Sequence, residues 1–207
     1  ENGSIEMKTM RTEFKRSEES IMERASSVLA HPIFKERLEQ LEELEKDRIY
    51  CHHGMEHLLT VARLSYIFAI ERMCRLEKDL IYATAFLHDI GRCTQYEEGT
   101  PHAEAGLVYA KQVLVECGFG PAETAMALEA ISRHSGKKEP ADTGIIQTVP
   151  ELRDEALLLK DPIIMALAEQ LTADLYDGDK LSRDCFNCKA EKQCAWDPDM
   201  KVMTISW

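Results

Sequence analysis

Apolar positions along this chain recur mostly three and four residues apart with charges between them, the spacing that gives a helix one apolar face. From Arg11 to Arg48 this stripe runs through Ile21, Val28, Leu29 and Phe34 and resumes at Leu38, Leu41 and Leu44. A break is expected at His31-Pro32, because proline is not tolerated in a helix interior. A second helix is expected from about His53 to Arg75, with Leu58, Val61, Leu64, Ile67 and Phe68 apolar. A third, Leu76 to Asp89, carries the run Ile81-Tyr82-Ala83-Thr84-Ala85-Phe86-Leu87, and Gly91 beyond it suits a left-handed helix terminus. Thr100-Pro101 has the residue types of an N-cap and first helical position, opening a helix to about Cys117. Gly118 and Gly120 end that helix, and Pro121 starts another that closes near His134-Ser135-Gly136. The polar stretch from Lys137 to Pro150 reads as a surface loop. Asp161-Pro162 then caps a long helix through Ile163, Leu167, Leu171 and Leu175 to about Arg183. The expected fold is all-α: a helical bundle over residues 50–183, an N-terminal helical segment over 1–49 packing on it, and a short Cys-containing tail over 184–207.

Composition agrees and narrows the function. The chain has 207 residues, enough for one domain with a sizeable core. Aromatics make up 7%, and Gly and Pro are scarce, which leans away from an all-β fold. No apolar run approaches the roughly 20 residues of a membrane span. The polar start Glu1–Ser4 has no secretory h-region and no initiator Met, so a processed start is compatible. The net charge of −12 repels nucleic acid and anionic membranes at long range. A small phosphorylated substrate remains compatible, since a metal and a few local cations override the global field. Seven cysteines without a secretory signal read as reduced thiols or metal ligands, and the expected compartment is the cytoplasm.

Four features carry candidate chemistry. His53 and His57, four apart, are expected on one helical face and able to reach one metal or substrate. His88-Asp89 ends an almost wholly apolar helix, where an imidazole and a carboxylate need a partner such as a divalent cation. His102 opens a helix and His134 closes one, each on the apolar stripe. An acidic residue on the last long helix completes the set. There, helical phase puts Asp177 on a polar face with Asp174, Ala173, Gln170 and Glu169, but leaves both Asp174 and Asp179 on mostly apolar faces.

These residues in this order resemble the HD-domain superfamily, whose members carry a His, then a His-Asp pair, then a distant Asp around a metal. His57-Leu58-Leu59-Thr60-Val61 looks like the first ligand segment, and Phe86-Leu87-His88-Asp89-Ile90-Gly91 matches the defining motif. Asp179-Lys180-Leu181 resembles the last segment, which favours Asp179 over Asp174. Arg92, where many members carry Lys, and Gly178, where Ala is commoner, are departures. His102-Ala103-Glu104-Ala105-Gly106 and Ile131-Ser132-Arg133-His134 are similar to the extra histidine segments of members with two metals. The Gly-Tyr-Pro motif of the HD-GYP phosphodiesterases is absent. His53 matches the general-acid histidine of cyclic-nucleotide phosphodiesterases, although Gly54 replaces the Asn that follows it there.

The resemblance implies an HD-domain metal-dependent phosphohydrolase acting on a nucleotide-like small molecule. Its metal would be Fe, Mn, Co or Zn, held by His57, His88, Asp89 and Asp179, with a second ion at His102 and His134 bridged by Asp89. It also implies catalytic roles for Asp89 and His53. Arg92, Arg133 and Lys180, with Lys137 and Lys138, are candidates to meet phosphate oxygens. A di-iron oxygenase and a non-catalytic metal or redox sensor are the alternatives. Separately, Cys185-x2-Cys188-x5-Cys194 has a spacing that suits zinc or three corners of an iron–sulfur cluster. Cys51, Cys74, Cys93, Cys117 or a histidine would have to supply a fourth ligand. Without metal, these are three unlinked thiols in a tail packed by Phe186 and Trp196.

Overall fold

A computed structural model describes residues 22–135 and 144–205, and every regular element among them is helical. In chain order they are α1 (Glu23–Ala30), α2 (Pro32–Glu45), α3 (Met55–Glu71), α4 (Lys78–Leu87), α5 (Arg92–Glu98), α6 (His102–Ala105), α7 (Leu107–Glu116), α8 (Pro121–Arg133), α9 (Gly144–Thr148), α10 (Arg153–Leu158) and α11 (Pro162–Leu181). None of the described helices is long and apolar enough to cross a membrane. The long helices α3, α8 and α11 form the centre, with α11 against both others and α4 against α3. Leu80, Ile81, Leu87, Leu114, Leu128, Ile131, Leu171 and Leu175 meet there, almost free of solvent. Each contributes about 1.5–3 kcal/mol by leaving water.

Local signals set most boundaries. Asp161 accepts from the amides of Ile163 and Ile164 and Pro162 takes the first helical position, so α11 starts where expected. Pro121 opens α8, with Glu123 reaching back to the Gly120 amide. Pro32 separates α1 from α2 as expected, whereas the part of the first stripe before Met22 lies outside the described residues. These two helices dock through Ala25, Val28 and Phe34, and through Asp79 of α4, which accepts from Arg24 Nε and the Ala25 amide. Leu44 is exposed, so the buried stripe stops at Leu41.

Five expectations change. The helix expected from His53 begins at Met55, so His53 lies ahead of it in the chain and does not share a helical face with His57. Gly91 is right-handed, with φ −85°, and answers a different need. A Cβ there would run into the His102 carbonyl and lie 2.9 Å from Gly106 Cα, so two glycine backbones touch where α5 and α6 meet. The stretch between Asp89 and Thr100, which no expected helix covers, forms α5. Alone its sequence is weakly periodic, but α2 holds it, with Arg37 donating to Thr94, Gln40 to Glu97, and the Cys93 thiol to the Arg37 carbonyl. The helix expected from Thr100 to Cys117 is two helices, broken at Gly106. In the stretch expected as a loop to Pro150, α9 buries Ile146; residues 136–143, with Lys137 and Lys138, lie outside the described residues.

The contact at Gly91 gives a direct test. Gly91→Ala should destabilise the fold by about 1–3 kcal/mol, since the added methyl meets backbone that cannot rotate away. Thermal unfolding should show a drop of several degrees, and an unchanged midpoint would refute this packing.

Candidate metal centre

Two helix ends are built alike. His88 follows α4 and His134 follows α8, and each Nδ1 lies 2.7 Å from the carbonyl three residues back, Ala85 and Ile131. Those carbonyls lack partners at a helix terminus, so each ring donates its Nδ1 proton there and keeps a bare Nε2. At the start of α6, His102 Nδ1 lies 2.7 Å from Gln95 Oε1, which fixes the same tautomer. On α3, His57 Nδ1 faces Ser182 Oγ at 3.4 Å, while that hydroxyl donates to the Asp179 carbonyl. The hydroxyl is left to accept, and His57 Nε2 is bare as well.

All four bare nitrogens converge. His57 Nε2 is 3.4 Å from His88 Nε2, and His102 Nε2 is 3.1 Å from His134 Nε2. With both Nδ1 atoms protonated and both rings neutral, lone pair faces lone pair across the His102–His134 gap. Asp89, fully buried, lies between the pairs. Its Oδ2 is 3.2 Å from His88 Nε2 and 3.5 Å from His57 Nε2, and its Oδ1 is 3.4 Å from His102 Nε2 and 3.7 Å from His134 Nε2. Arg92 Nε is 2.8 Å from Oδ1 but outside hydrogen-bonding direction, so neither carboxylate oxygen accepts a hydrogen bond. Orphaned buried oxygens beside opposed lone pairs are a donor set that divalent cations satisfy.

Asp179 Oδ1 joins the first pair, 3.6 Å from His57 Nε2 and 4.0 Å from His88 Nε2. Its placement depends on Gly178, where a Cβ would lie 3.0 Å from the Ser65 amide and the Val61 carbonyl. α11 and α3 cross there in backbone contact, which accounts for glycine at that position. Asp174, fully buried, instead accepts from Arg72 at 2.6 Å, and Asp177 pairs with the same guanidinium. The geometry therefore separates Asp179 from Asp174 where helical phase does not.

Electrostatics follow the arrangement. Burial opposes the charge on Asp89, but His88 and Arg92 hold its carboxyl well below the usual carboxylate range. Burial likewise opposes the charge on Asp179, and His88 and Lys180 hold it down. Burial lowers His134, and burial with Arg92 nearby pushes His102 down to about 3, so both rings are neutral donors. His88 is raised because Asp89 and Asp179 outweigh its burial.

His53 lies edge-on to His57, ring centres 5.4 Å apart. Glu45 at the end of α2 accepts from its Nδ1 at 2.6 Å and its amide at 2.7 Å, and Tyr96 donates to the same carboxylate. Burial opposes the charge on Glu45, yet His53 and Tyr96 bring it down to about 2, while burial lowers His53. Sequence reasoning missed Glu45, Gln95, Tyr96 and Ser182. Nothing distinguishes Glu45 from Glu42 and Glu43 along the chain, and only folding selects it. Of the cation candidates, Arg92 and Lys180 contact Asp89 and Asp179, while Arg133 Nη1 donates to Glu129 on its own helix.

Fold and site together define a helical bundle that brings four histidines and two aspartates into one buried cluster that could hold a metal. The HD domain family model matches residues 54–174, more than half of the chain, and the chain belongs to this family. HD domains are metal-dependent phosphohydrolases as a superfamily. His57, His88 and Asp89 fall within the match, and Asp179 lies beyond its end. The chain is 29% identical to an uncharacterized protein of Clostridium beijerinckii over 89% of its length and 99% of that protein. It is 30% identical to ribonuclease Y of Syntrophomonas wolfei subsp. wolfei over 56% of this chain, and 28% identical to ribonuclease Y of Desulforudis audaxviator over 53%. Those matches span only 21% and 20% of the two ribonucleases. No solved structure matches this chain.

Proposed function

We propose that this chain hydrolyses a phosphoester or phosphoanhydride of a nucleotide-like small molecule with two divalent transition-metal ions at the HD site. The observation that carries this reading is Asp89, whose two orphaned oxygens face separate histidine pairs. His57, His88, Asp179 and Asp89 Oδ2 would hold one ion, and His102, His134 and Asp89 Oδ1 the other. When bound, such ions supply a low-pKa water as nucleophile and neutralise phosphoryl oxygens. Arg92 and Lys180 bring cationic nitrogens to the edge of the cluster, where phosphate oxygens are recognised. His53 would be the proton carrier to the leaving oxygen, its Nδ1 donating to Glu45, which also accepts from Tyr96. The similarity to proteins named ribonuclease Y supports phosphodiester-type chemistry, whereas a net charge of −12 opposes a polynucleotide substrate.

Metal analysis followed by a phosphate-release screen of phosphorylated metabolites tests the reaction. Iron-dependent oxygen uptake without phosphate release would replace the hydrolase reading with a di-iron oxygenase. The number of ions has its own check. His102→Ala or His134→Ala should lower total metal per chain by about one and abolish most activity. Metal content that neither substitution changes would leave a mononuclear site with these rings as supporting groups.

A further inference from the structure

The tail after α11 poses a physical problem. Residues 184–205 form three single-turn 3-10 helices, Cys185–Asn187, Glu191–Gln193 and Pro198–Met200, joined by irregular chain. The buried apolar side chains among them are Ala190 and Val202. Phe186, Trp196, Met200, Met203 and Ile205 are exposed, so the packing by Phe186 and Trp196 on which a tail without metal would rely is slight. A segment that buries so little does not offset the entropy of ordering its backbone, and chains in this position use a metal or a disulfide as a staple.

The missing fourth cysteine lies in front of this tail. Cys185, Cys188 and Cys194 line one recess, and Cys51, from the connection between α2 and α3, lines it with them. All four are free thiols and all are partly buried. The other three cysteines, Cys74, Cys93 and Cys117, are not part of its lining. Turn hydrogen bonds shape the tail around the thiols, from the Cys188 amide to the Cys185 carbonyl and from the Cys194 amide to the Glu191 carbonyl. Lys201, also on the recess, anchors it by donating to the Glu191 carbonyl at 2.7 Å, and Tyr50 donates to the Gln193 carbonyl. Four free thiols lining one recess are the donor set of a soft, thiophilic centre.

We propose that Cys51, Cys185, Cys188 and Cys194 form a second metal centre, a four-thiolate site for Zn2+ or an iron–sulfur cluster, which clasps the tail to the α2–α3 connection. Both occupants take four thiolates. Binding deprotonates the four thiols and releases their protons to solvent, with no change in the sulfur oxidation state. The clasp also brackets the HD site, because Cys51 lies two residues before His53 and Cys185 six residues after Asp179. Its ligands are separate from those of the HD site, so the two readings fail independently.

The test uses the full chain purified without oxygen, with iron, zinc and acid-labile sulfide measured per chain. Sulfide with iron and visible thiolate-to-iron absorption identifies a cluster. Zinc without sulfide, replaceable by Co2+ with thiolate-to-cobalt bands, identifies a zinc site. In either case Cys51→Ser and Cys188→Ser should each abolish the thiolate bands, whereas Cys117→Ser should not. Should a variant fail to fold, thiol counting on the unaltered protein decides. Cys51, Cys185, Cys188 and Cys194, identified by peptide mapping, should resist modification until the metal is stripped and then react; the buried Cys93 is left out of the comparison. Thiolate bands that persist in Cys51→Ser would overturn the assignment of the fourth ligand. Cys51, Cys185, Cys188 and Cys194 all reacting before stripping, or a disulfide among the four in protein kept from oxygen, would overturn the site itself.

Discussion

Asp89→Ala should lose most of the metal bound at the HD site, and activity should fall by more than the roughly 10–100-fold that loss of a supporting group costs. Among the described residues Asp89 is the one carboxylate within reach of all four converging nitrogens, so its removal takes an anionic donor from both ion positions at once. The fold should survive. Neither oxygen of Asp89 accepts a hydrogen bond from the described residues, so its truncation breaks none. It does leave Arg92 without its neighbouring charge, and Asp89→Asn, which keeps the volume, provides the milder comparison. Circular dichroism should be unchanged in both variants. The wild-type unfolding midpoint should rise with added divalent metal, because ligand binding to the native state stabilises it, and the variants should lose that rise. Metal content equal to wild type in both variants would remove the HD-site reading.

Asp179→Asn and Asp174→Asn should fail in opposite ways. Asp179 reaches His57 and His88, so its substitution should cost metal and activity with little loss of stability in the metal-free chain. Asp174 is fully buried and accepts from Arg72, so its substitution should lower stability by about 1 kcal/mol and leave metal content unchanged. The expected loss is modest because Arg72 is more than a third exposed, and solvent screens that pair. Asp177→Asn, on the outer side of the same guanidinium, should change neither by much. Metal loss in Asp174→Asn larger than in Asp179→Asn would show that α11 contributes a different ligand.

The helical class, the starts of α8 and α11 and the break at Pro32 were legible in the chain, because period and capping are local properties. So were the six converging residues, through the order and spacing of a known motif. What lay beyond the sequence was long-range. Asp174 and Asp179 occupy equally apolar faces, and only the crossing of α11 over α3 at Gly178 decides between them. Gly91 read as a helix terminus because a close approach to Gly106, fifteen residues on, leaves no mark in the local pattern. α5 exists because α2 holds it, and Glu45 matters because folding carries it to His53. Cys51 is 134 residues from Cys185, and spacing rules that pair Cys185 with Cys188 do not reach that far. The sequence determined which segments form helices and which side chains are candidates for chemistry; the packing of helix on helix decided which of those side chains meet, since partners distant in the chain are chosen by shape and burial.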